Sequence, residues 1–135
     1  MITVLLVDDH IYIRKAISYL LGTTQDIKVV DTASNGKEAI MSARFNHPDV
    51  VVMDISMPVM DGIEATRQIL AELSKTRVLM LSSYSDPQNI KRALEAGAVG
   101  YIMKDSIASE LLVAIRALFS GKRYFCRQIT EKVSL

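Results

Sequence analysis

The chain has 135 residues, which is the length of one ordinary domain and leaves little room for a second. Half of the residues are hydrophobic and 23% are charged, a balance that argues against a disordered chain and against a coiled coil. The formal net charge of +1 is far from the basic excess expected of a domain that binds nucleic acid through phosphate contacts.

Neither the N-terminus nor the cysteine content indicates export. The apolar run before Asp8 is too short for a signal peptide, and no stretch of the sequence is long enough to span a bilayer. Cys126 is the single cysteine, so an internal disulfide is excluded. We therefore expect a cytoplasmic protein with no membrane association.

Short apolar runs without polar alternation are typical of strands that are buried on both faces. Four such runs are clear and lie at Ile2–Val7, Val50–Met53, Val78–Leu81 and Val99–Met103. A fifth, at Lys28–Ala33, is weaker. The sequence thus predicts five strands.

Helices are predicted between these strands. Asn35 and Asp61 are each followed three residues later by Glu, and Asp86 precedes a proline, which are helix-start patterns. Three helices show apolar stripes with helical spacing. The stripes are Ile13, Ala16, Ile17 and Leu20; Ile90, Ala93, Leu94 and Gly97; and Ile107, Leu111, Ala114, Ile115 and Leu118.

The element order βαβαβαβαβα predicts a doubly wound α/β domain. Right-handed crossovers place the five helices on both faces of one parallel sheet. The strand order 2-1-3-4-5 suits five strands and leaves a crevice between strands 1 and 3. Gly121 is predicted to end the last helix, so we divide the chain into a domain at residues 1–120 and a tail or linker at residues 121–135.

The C-terminal region is locally basic. Between Arg116 and Leu135 there are five Lys or Arg residues against the single acidic residue Glu131. We favour a solvated helix and tail over a DNA-binding patch as the interpretation of this charge.

Polar residues follow four of the predicted strands, at the edge where ligands bind in open α/β sheets. Three carboxylates crowded together require a cation or protons to offset their repulsion. Oxygen ligands without paired His or Cys favour Mg²⁺ over zinc. Together with a lysine and a hydroxyl, the three carboxylates form a set suited to phosphoryl transfer onto a carboxylate. These residues are Asp8 and Asp9 after strand 1, Asp54 after strand 3, Ser82 and Ser83 after strand 4, and Lys104 after strand 5.

The same residues lie in segments that resemble the receiver domains of bacterial response regulators. The resemblance covers about residues 2–120 and implies a flavodoxin-like (CheY-like) fold with five strands and five helices. The matching segments are Asp8-Asp9, Met53-Asp54-Ile55-Ser56-Met57-Pro58-Val59-Met60-Asp61-Gly62, Leu79-Met80-Leu81-Ser82-Ser83 and Gly97-Ala98-Val99-Gly100-Tyr101-Ile102-Met103-Lys104.

This resemblance implies a phosphoacceptor and a metal site. Asp54 corresponds to the residue that accepts the phosphoryl group. Asp9 and Asp54 correspond to direct Mg²⁺ ligands, and Asp8 to a ligand that more often acts through water. The backbone carbonyl of Ser56 corresponds to a further ligand.

The resemblance also implies residues that respond to phosphorylation. Ser82 corresponds to the switch hydroxyl, Lys104 to the residue that holds the phosphoryl group, and Tyr101 to the aromatic residue that changes rotamer. Ser56 and Tyr84 correspond to positions that tune the lifetime of the acyl phosphate.

Asp8-Asp9-His10 and Lys104-Asp105-Ser106, with no proline after the lysine, resemble the NarL/FixJ type of transcriptional regulator. This type implies a sensor histidine kinase as partner, a homodimer on phosphorylation, and DNA binding only through a C-terminal LuxR-type helix-turn-helix domain, which residues 1–135 do not contain.

Several residues invite other interpretations. For His10 and His47 we favour helix-entry and loop roles over metal binding, because a Mg²⁺ site has little use for imidazole. Asp61 is interpreted as a helix cap and not as a ligand. Met57 and Met60 are expected to be partly exposed.

Two other functions remain alternatives to a signalling switch that is not a turnover enzyme. One is a Mg²⁺-dependent phosphohydrolase with an aspartyl nucleophile, which usually needs an acid/base carboxylate where this chain has Ser56. The other is an interaction module that has lost phosphorylation, which would lack one of the acidic residues or the lysine.

Overall fold

The structure, a computed structural model, describes residues 1–133. The strands are β1 (Ile2–Val7), β2 (Ile27–Ala33), β3 (Val50–Asp54), β4 (Arg77–Ser82), β5 (Gly100–Met103) and β6 (Tyr124–Phe125). The helices are α1 (Ile11–Gly22), α2 (Gly36–Asn46), α3 (Gly62–Glu72), α4 (Pro87–Glu95), α5 (Ile107–Phe119) and α6 (Arg127–Thr130). One turn of 3₁₀ helix, Lys104–Ser106, joins β5 to α5.

All neighbouring strands pair in parallel, in the order β2-β1-β3-β4-β5-β6. The predicted α/β fold and the order of its first five strands are confirmed. The observed sheet has one more strand than predicted because β6 pairs with β5, and one more short helix follows it.

The core lies on both faces of the sheet. Helices α1 and α5 pack beside each other, while α2 contacts α3 and α3 contacts α4. Every residue of β3 is buried, as expected of a strand covered by helices on both sides. The sequence lacked alternation here because no side of the strand faces water.

The predicted helix starts are confirmed. The side chains of Asn35, Asp61 and Asp86 each accept a hydrogen bond from a backbone N–H three residues later. The predicted apolar stripe from Ile90 to Gly97 extends past its helix, because α4 ends at Glu95. Gly97 lies two residues beyond this end and has a φ of +107°. A left-handed glycine is a common way to terminate a helix.

Residues 122–133, here called the C-terminal segment, are packed against the domain. The backbone N–H groups of Tyr124 and Cys126 donate to the carbonyls of Val99 and Tyr101 at 3.0 and 3.1 Å. Cys126 and Ile129 are buried. Pairing with β5 satisfies backbone groups that an exposed edge strand would leave open. The predicted division into a domain at residues 1–120 and a tail or linker at residues 121–135 stays a prediction, and residues 134 and 135 lie outside the described residues.

Within residues 1–133, no helix is long and apolar enough to cross a membrane.

Candidate functional site

The register of the sheet brings the predicted site residues to one edge. Val7 pairs with Met53, so the residues that follow β1 lie beside Asp54 at the end of β3. Ser82 at the end of β4 pairs with Met103, which immediately precedes Lys104. The four strand ends therefore meet around one point, as the predicted topology requires.

A cluster of acidic groups occupies this point. Asp8 and Asp54 are 0% and 2% exposed, whereas the Asp9 side chain is 28% exposed. Asp8, Asp9, His10 and Asp54 each offer one potential ligand atom, and these atoms lie within 4.8 Å of one another. Among the described residues, nothing donates a hydrogen bond to Oδ2 of Asp54 although it is buried. A buried carboxylate oxygen without a donor is costly unless a cation or a proton faces it.

Lys104 closes one side of the acidic cluster. Its Nζ lies 3.1 Å from Oδ2 of Asp8 and 3.2 Å from Oδ1 of Asp54. Burial alone would lower the pKa of Lys104, but the facing carboxylates outweigh it and raise that pKa. Burial, reinforced by the charge of Asp8, raises the pKa of Asp54 to about 6 despite the opposing effect of Lys104.

The loop between β3 and α3 presses against the backbone of Asp54. The N–H of Gly62 donates to the carbonyl of Ile55 at 2.8 Å. A Cβ at position 62 would lie 1.9 Å from the carbonyl oxygen of Asp54, so only glycine fits there. Ser56 is exposed at the mouth of the site, and Asp61 caps α3 outside the metal-ligand cluster.

A chain of hydrogen bonds runs from this edge to the C-terminal segment. The hydroxyl of Ser82 accepts from the N–H of Tyr84 at 3.0 Å, and the carbonyl of Tyr84 accepts from the hydroxyl of Tyr101 at 2.8 Å. The carbonyl of Tyr101 then accepts from the N–H of Cys126. Tyr101 is fully buried. Ser82 and Tyr101, to which the family resemblance assigns switch roles, are thus linked through Tyr84.

A cavity of about 100 Å³ opens above the acidic cluster. It is large enough for a small anionic group and far too small for an extended substrate. Its lining residues are His10, Asp54, Ser56, Ser82, Ser83, Tyr84 and Lys104.

Two contacts were missed by the sequence reasoning. Arg14 donates from Nη1 to the backbone carbonyl of Asp8 at 2.6 Å and so anchors the loop after β1. His10 does begin α1, as predicted, but its Nδ1 also lies 3.1 Å from Asp8 and 3.2 Å from Asp9. The signal for Arg14 was its position one helical turn after His10, which places it above the start of α1.

The donor set fits a hard divalent cation. Three carboxylates converge on one point, and no cysteine lies in the cluster. One buried oxygen of each, Oδ2 of Asp8, Oδ1 of Asp9 and Oδ2 of Asp54, has no hydrogen-bond partner among residues 1–133. Oxygen ligands of this kind are those that Mg²⁺ takes in proteins, usually together with water and phosphate oxygens.

Comparison with known proteins assigns the chain to a family. Residues 4–116 match the response regulator receiver domain. The chain belongs to the response regulator receiver domain family. Receiver domains of this kind are the signalling domains of two-component systems, and they generally bind Mg²⁺ at an acidic pocket.

Relatives of this receiver domain include a response regulator and a transcriptional regulatory protein. It is 40% identical over 135 residues to the response regulator UvrY of Escherichia coli K12, covering 100% of this chain and 62% of UvrY. It is 41% identical over 133 residues to the transcriptional regulatory protein LiaR of Bacillus subtilis, covering 98% of this chain and 63% of LiaR. The chain thus spans a little under two thirds of the length of these relatives.

Solved structures agree with this assignment. A LuxR-family two-component response regulator from Aurantimonas sp. SI85-9A1 is 35% identical, with a TM-score of 0.93 over 98% of this chain and 94% of that one. The receiver domain of NarL from Mycobacterium tuberculosis is 32% identical, with a TM-score of 0.85 over 90% of this chain and 98% of that one. The predicted NarL/FixJ subfamily is confirmed by these similarities.

Proposed function

We propose that this receiver domain accepts a phosphoryl group on Asp54 from a sensor histidine kinase. The observation that carries the proposal is the buried Oδ2 of Asp54, which has no hydrogen-bond donor within residues 1–133 and belongs to a residue that lines a small cavity. Lys104 holds the other oxygen of the same carboxylate. One oxygen is thereby fixed and the other is left available as a nucleophile.

The reaction is a transfer from imidazole to carboxylate. An oxygen of ionised Asp54 forms a bond to phosphorus while the P–N bond of the donor phosphohistidine breaks, and the electron pair of that bond leaves with the imidazole nitrogen. Lys104 and the hydroxyl of Ser82 are positioned to contact phosphoryl oxygens as charge moves onto them.

Mg²⁺ would be held by Asp8, Asp9, Asp54 and the backbone carbonyl of Ser56. When bound, the ion neutralises the crowded carboxylates and the phosphoryl oxygens. The convergence of the acidic side chains within 4.8 Å supports this ligand set.

Phosphoryl acceptance accounts for the site better than hydrolytic turnover does. The residue two positions after Asp54 is Ser56, which offers no acid/base carboxylate, and the cavity is too small to enclose an extended phosphoester. A module that has lost phosphorylation is also disfavoured, because the acidic residues and Lys104 are all present and Lys104 contacts both Asp8 and Asp54.

We further propose that Ser82 and Tyr101 report the state of Asp54. A phosphoryl group on Asp54 would take a hydrogen bond from the Ser82 hydroxyl. The ring of Tyr101 already fills the space beneath the β4–α4 loop, so phosphorylation would stabilise this inward position. Ser56 and Tyr84, exposed at the cavity mouth, would tune the lifetime of the acyl phosphate.

The output of this switch is proposed to be a DNA-binding domain that follows residue 135, with homodimerisation on phosphorylation. The C-terminal segment supports a path to such a domain, because it is hydrogen-bonded directly to Tyr101. Residues 1–135 alone are expected to bind no specific DNA sequence, since the part of the chain that the structure describes, residues 1–133, contains no recognition-helix pair.

The proposal is tested by intact mass after incubation with Mg²⁺ and acetyl phosphate. The wild-type chain should gain one phosphoryl group, about 80 Da, and Asp54→Asn should gain none. Asp61→Asn is the matched control, because Asp61 is a nearby aspartate that caps α3 outside the cluster. Phosphorylation of Asp54→Asn at the wild-type rate, or continuous release of phosphate from many substrate molecules, would overturn the proposal.

A further inference from the structure

Helix α2 carries a second apolar stripe that the core of the domain does not use. Its inner stripe, which includes Ala39, Ile40 and Ala43, is buried where α2 packs on β1 and β2. Met41 and Phe45 lie one helical turn apart on the outer side, where they are 68% and 87% exposed. Adjacent exposed apolar side chains are typical of interaction surfaces, whereas isolated ones need no explanation.

The two flanks of this outer face differ in charge. A groove on the side of α3 is lined by Lys37, Met41 and Arg44. A groove on the side of β2 is lined by Glu38, Met41 and Phe45. Met41 lines both grooves and forms the crest between them. One flank of the crest is therefore basic, and the other carries an acidic and an aromatic side chain.

These flanks complement each other in a second copy of the chain. If two α2 helices pack in parallel about a two-fold axis, Met41 meets its counterpart and each basic flank faces the other copy's acidic and aromatic flank. Lys37 then faces Glu38, and Arg44 faces the ring of Phe45, each contact occurring twice. An antiparallel pair would instead bring Lys37 opposite Arg44, where two like charges repel.

Arg44 is held in a position that suits such a contact. Its Nε and Nη2 donate to the carboxylate of Glu72 at 2.7 and 2.6 Å, which fixes the plane of the guanidinium group. A guanidinium group whose plane is already fixed loses less freedom when it stacks on an aromatic ring. Lys37 and Glu38 are both exposed, so their charges are accessible to a partner.

We propose that the outer face of α2 is a docking surface for a second copy of this chain, packed in parallel about Met41. Its residues do not belong to the acidic cluster or line the cavity above it, so this association does not depend on phosphorylation of Asp54. A single helix of 11 residues offers less area than a stable complex needs, which is about 1,200 Å² in total. The association is therefore weak and reversible.

Sedimentation equilibrium over a range of protein concentrations tests the proposal, with metal chelated and no phosphodonor present. Phe45→Ser should weaken self-association by about tenfold or more, because a buried aromatic side chain supplies much of the affinity of an interface. Tyr19→Ser is the matched control and should associate as wild type does, since Tyr19 is 79% exposed but lies on α1. Asp54→Asn should also match wild type.

Lys37→Glu tests the orientation of the two helices. In a parallel pair the new carboxylate faces Glu38 of the second copy, so self-association should weaken by about fivefold or more. In an antiparallel pair it would face Arg44 and strengthen self-association. Lys37 is exposed in the first turn of α2, where an acidic residue is favoured, so the variant should fold as wild type does.

Three results would overturn the inference. A chain that stays monomeric at every concentration would assign the outer face of α2 to a different partner. Wild-type association of Phe45→Ser would show that this face is not the interface. Unchanged or stronger association of Lys37→Glu would exclude the parallel pair. Whether Asp54 accepts a phosphoryl group changes none of these outcomes.

Discussion

At the scale of single residues, ionised Asp54 destabilises the folded state when no cation is bound beside it. Its pKa is raised to about 6 by burial and by Asp8, whereas an unfolded aspartate titrates near its ordinary value. The native state therefore binds the proton more tightly. The free energy of unfolding falls as pH rises from about 4 to about 6, and the loss is complete above that window.

Asp54→Asn should remove this loss. With metal chelated, we expect the variant to be more stable than wild type by about 1–3 kcal/mol at pH 8 and nearly equal at pH 4. Urea unfolding at both pH values measures the difference. Asp61→Asn, which keeps an acceptor at its helix cap outside the cluster, is the control variant. A stability gain that is the same at pH 4 and pH 8 would contradict this origin.

Gly62 is the second residue on which the site depends. A methyl group at this position meets the carbonyl of Asp54, so Gly62→Ala should displace the β3–α3 loop and cost about 2 kcal/mol or more. Gly22→Ala is the control, because nothing lies within 4 Å of the added Cβ at the end of α1. The temperature of thermal unfolding and the rate of phosphorylation should both fall in Gly62→Ala and stay at the wild-type values in Gly22→Ala.

At the scale of secondary structure, the C-terminal segment covers the edge that β5 would otherwise expose. Its main anchor is Ile129, which is fully buried, while the neighbouring Gln128 is exposed. Ile129→Ala should lower the free energy of unfolding of the segment by about 2–4 kcal/mol. Hydrogen exchange at the amide of Cys126, which donates to Tyr101, reports the detachment of β6.

The control for this change is Gln128→Ala, which should leave the Cys126 amide protected. If Ile129→Ala leaves that amide equally protected, then the β6 ladder holds the segment in place without the packing of α6.

At the scale of the whole molecule, the hydrogen-bond chain from Ser82 to the C-terminal segment links the acidic edge to a surface. Ser82→Ala removes the hydroxyl that accepts from Tyr84, so the variant should accept phosphoryl groups nearly as wild type does but respond less. We expect self-association induced by beryllofluoride to weaken by about 5- to 150-fold, the usual range of allosteric coupling. Sedimentation of both proteins with and without beryllofluoride measures this. Identical responses would exclude Ser82 from the coupling.

The sequence by itself determined the architecture and the residues of the acidic edge. Runs without alternation, such as Val50–Met53, are typical of strands covered on both faces, and capping residues such as Asp61 mark where helices begin. Parallel topology then requires the carboxyl ends of the strands to meet. Asp8, Asp54 and Lys104 could therefore be grouped before any distance was known.

Tertiary structure decided what depends on distance and on burial. Tyr124 and Phe125 form too short a run to be recognised as a strand, and they become one because β5 offers unpaired backbone groups. The raised pKa of Asp54 arises from burial and from Asp8, which are far from it in sequence. The position of His10 between Asp8 and Asp9 depends on the turn after β1. Local patterns encode elements, whereas contacts between elements exist only once the chain has folded.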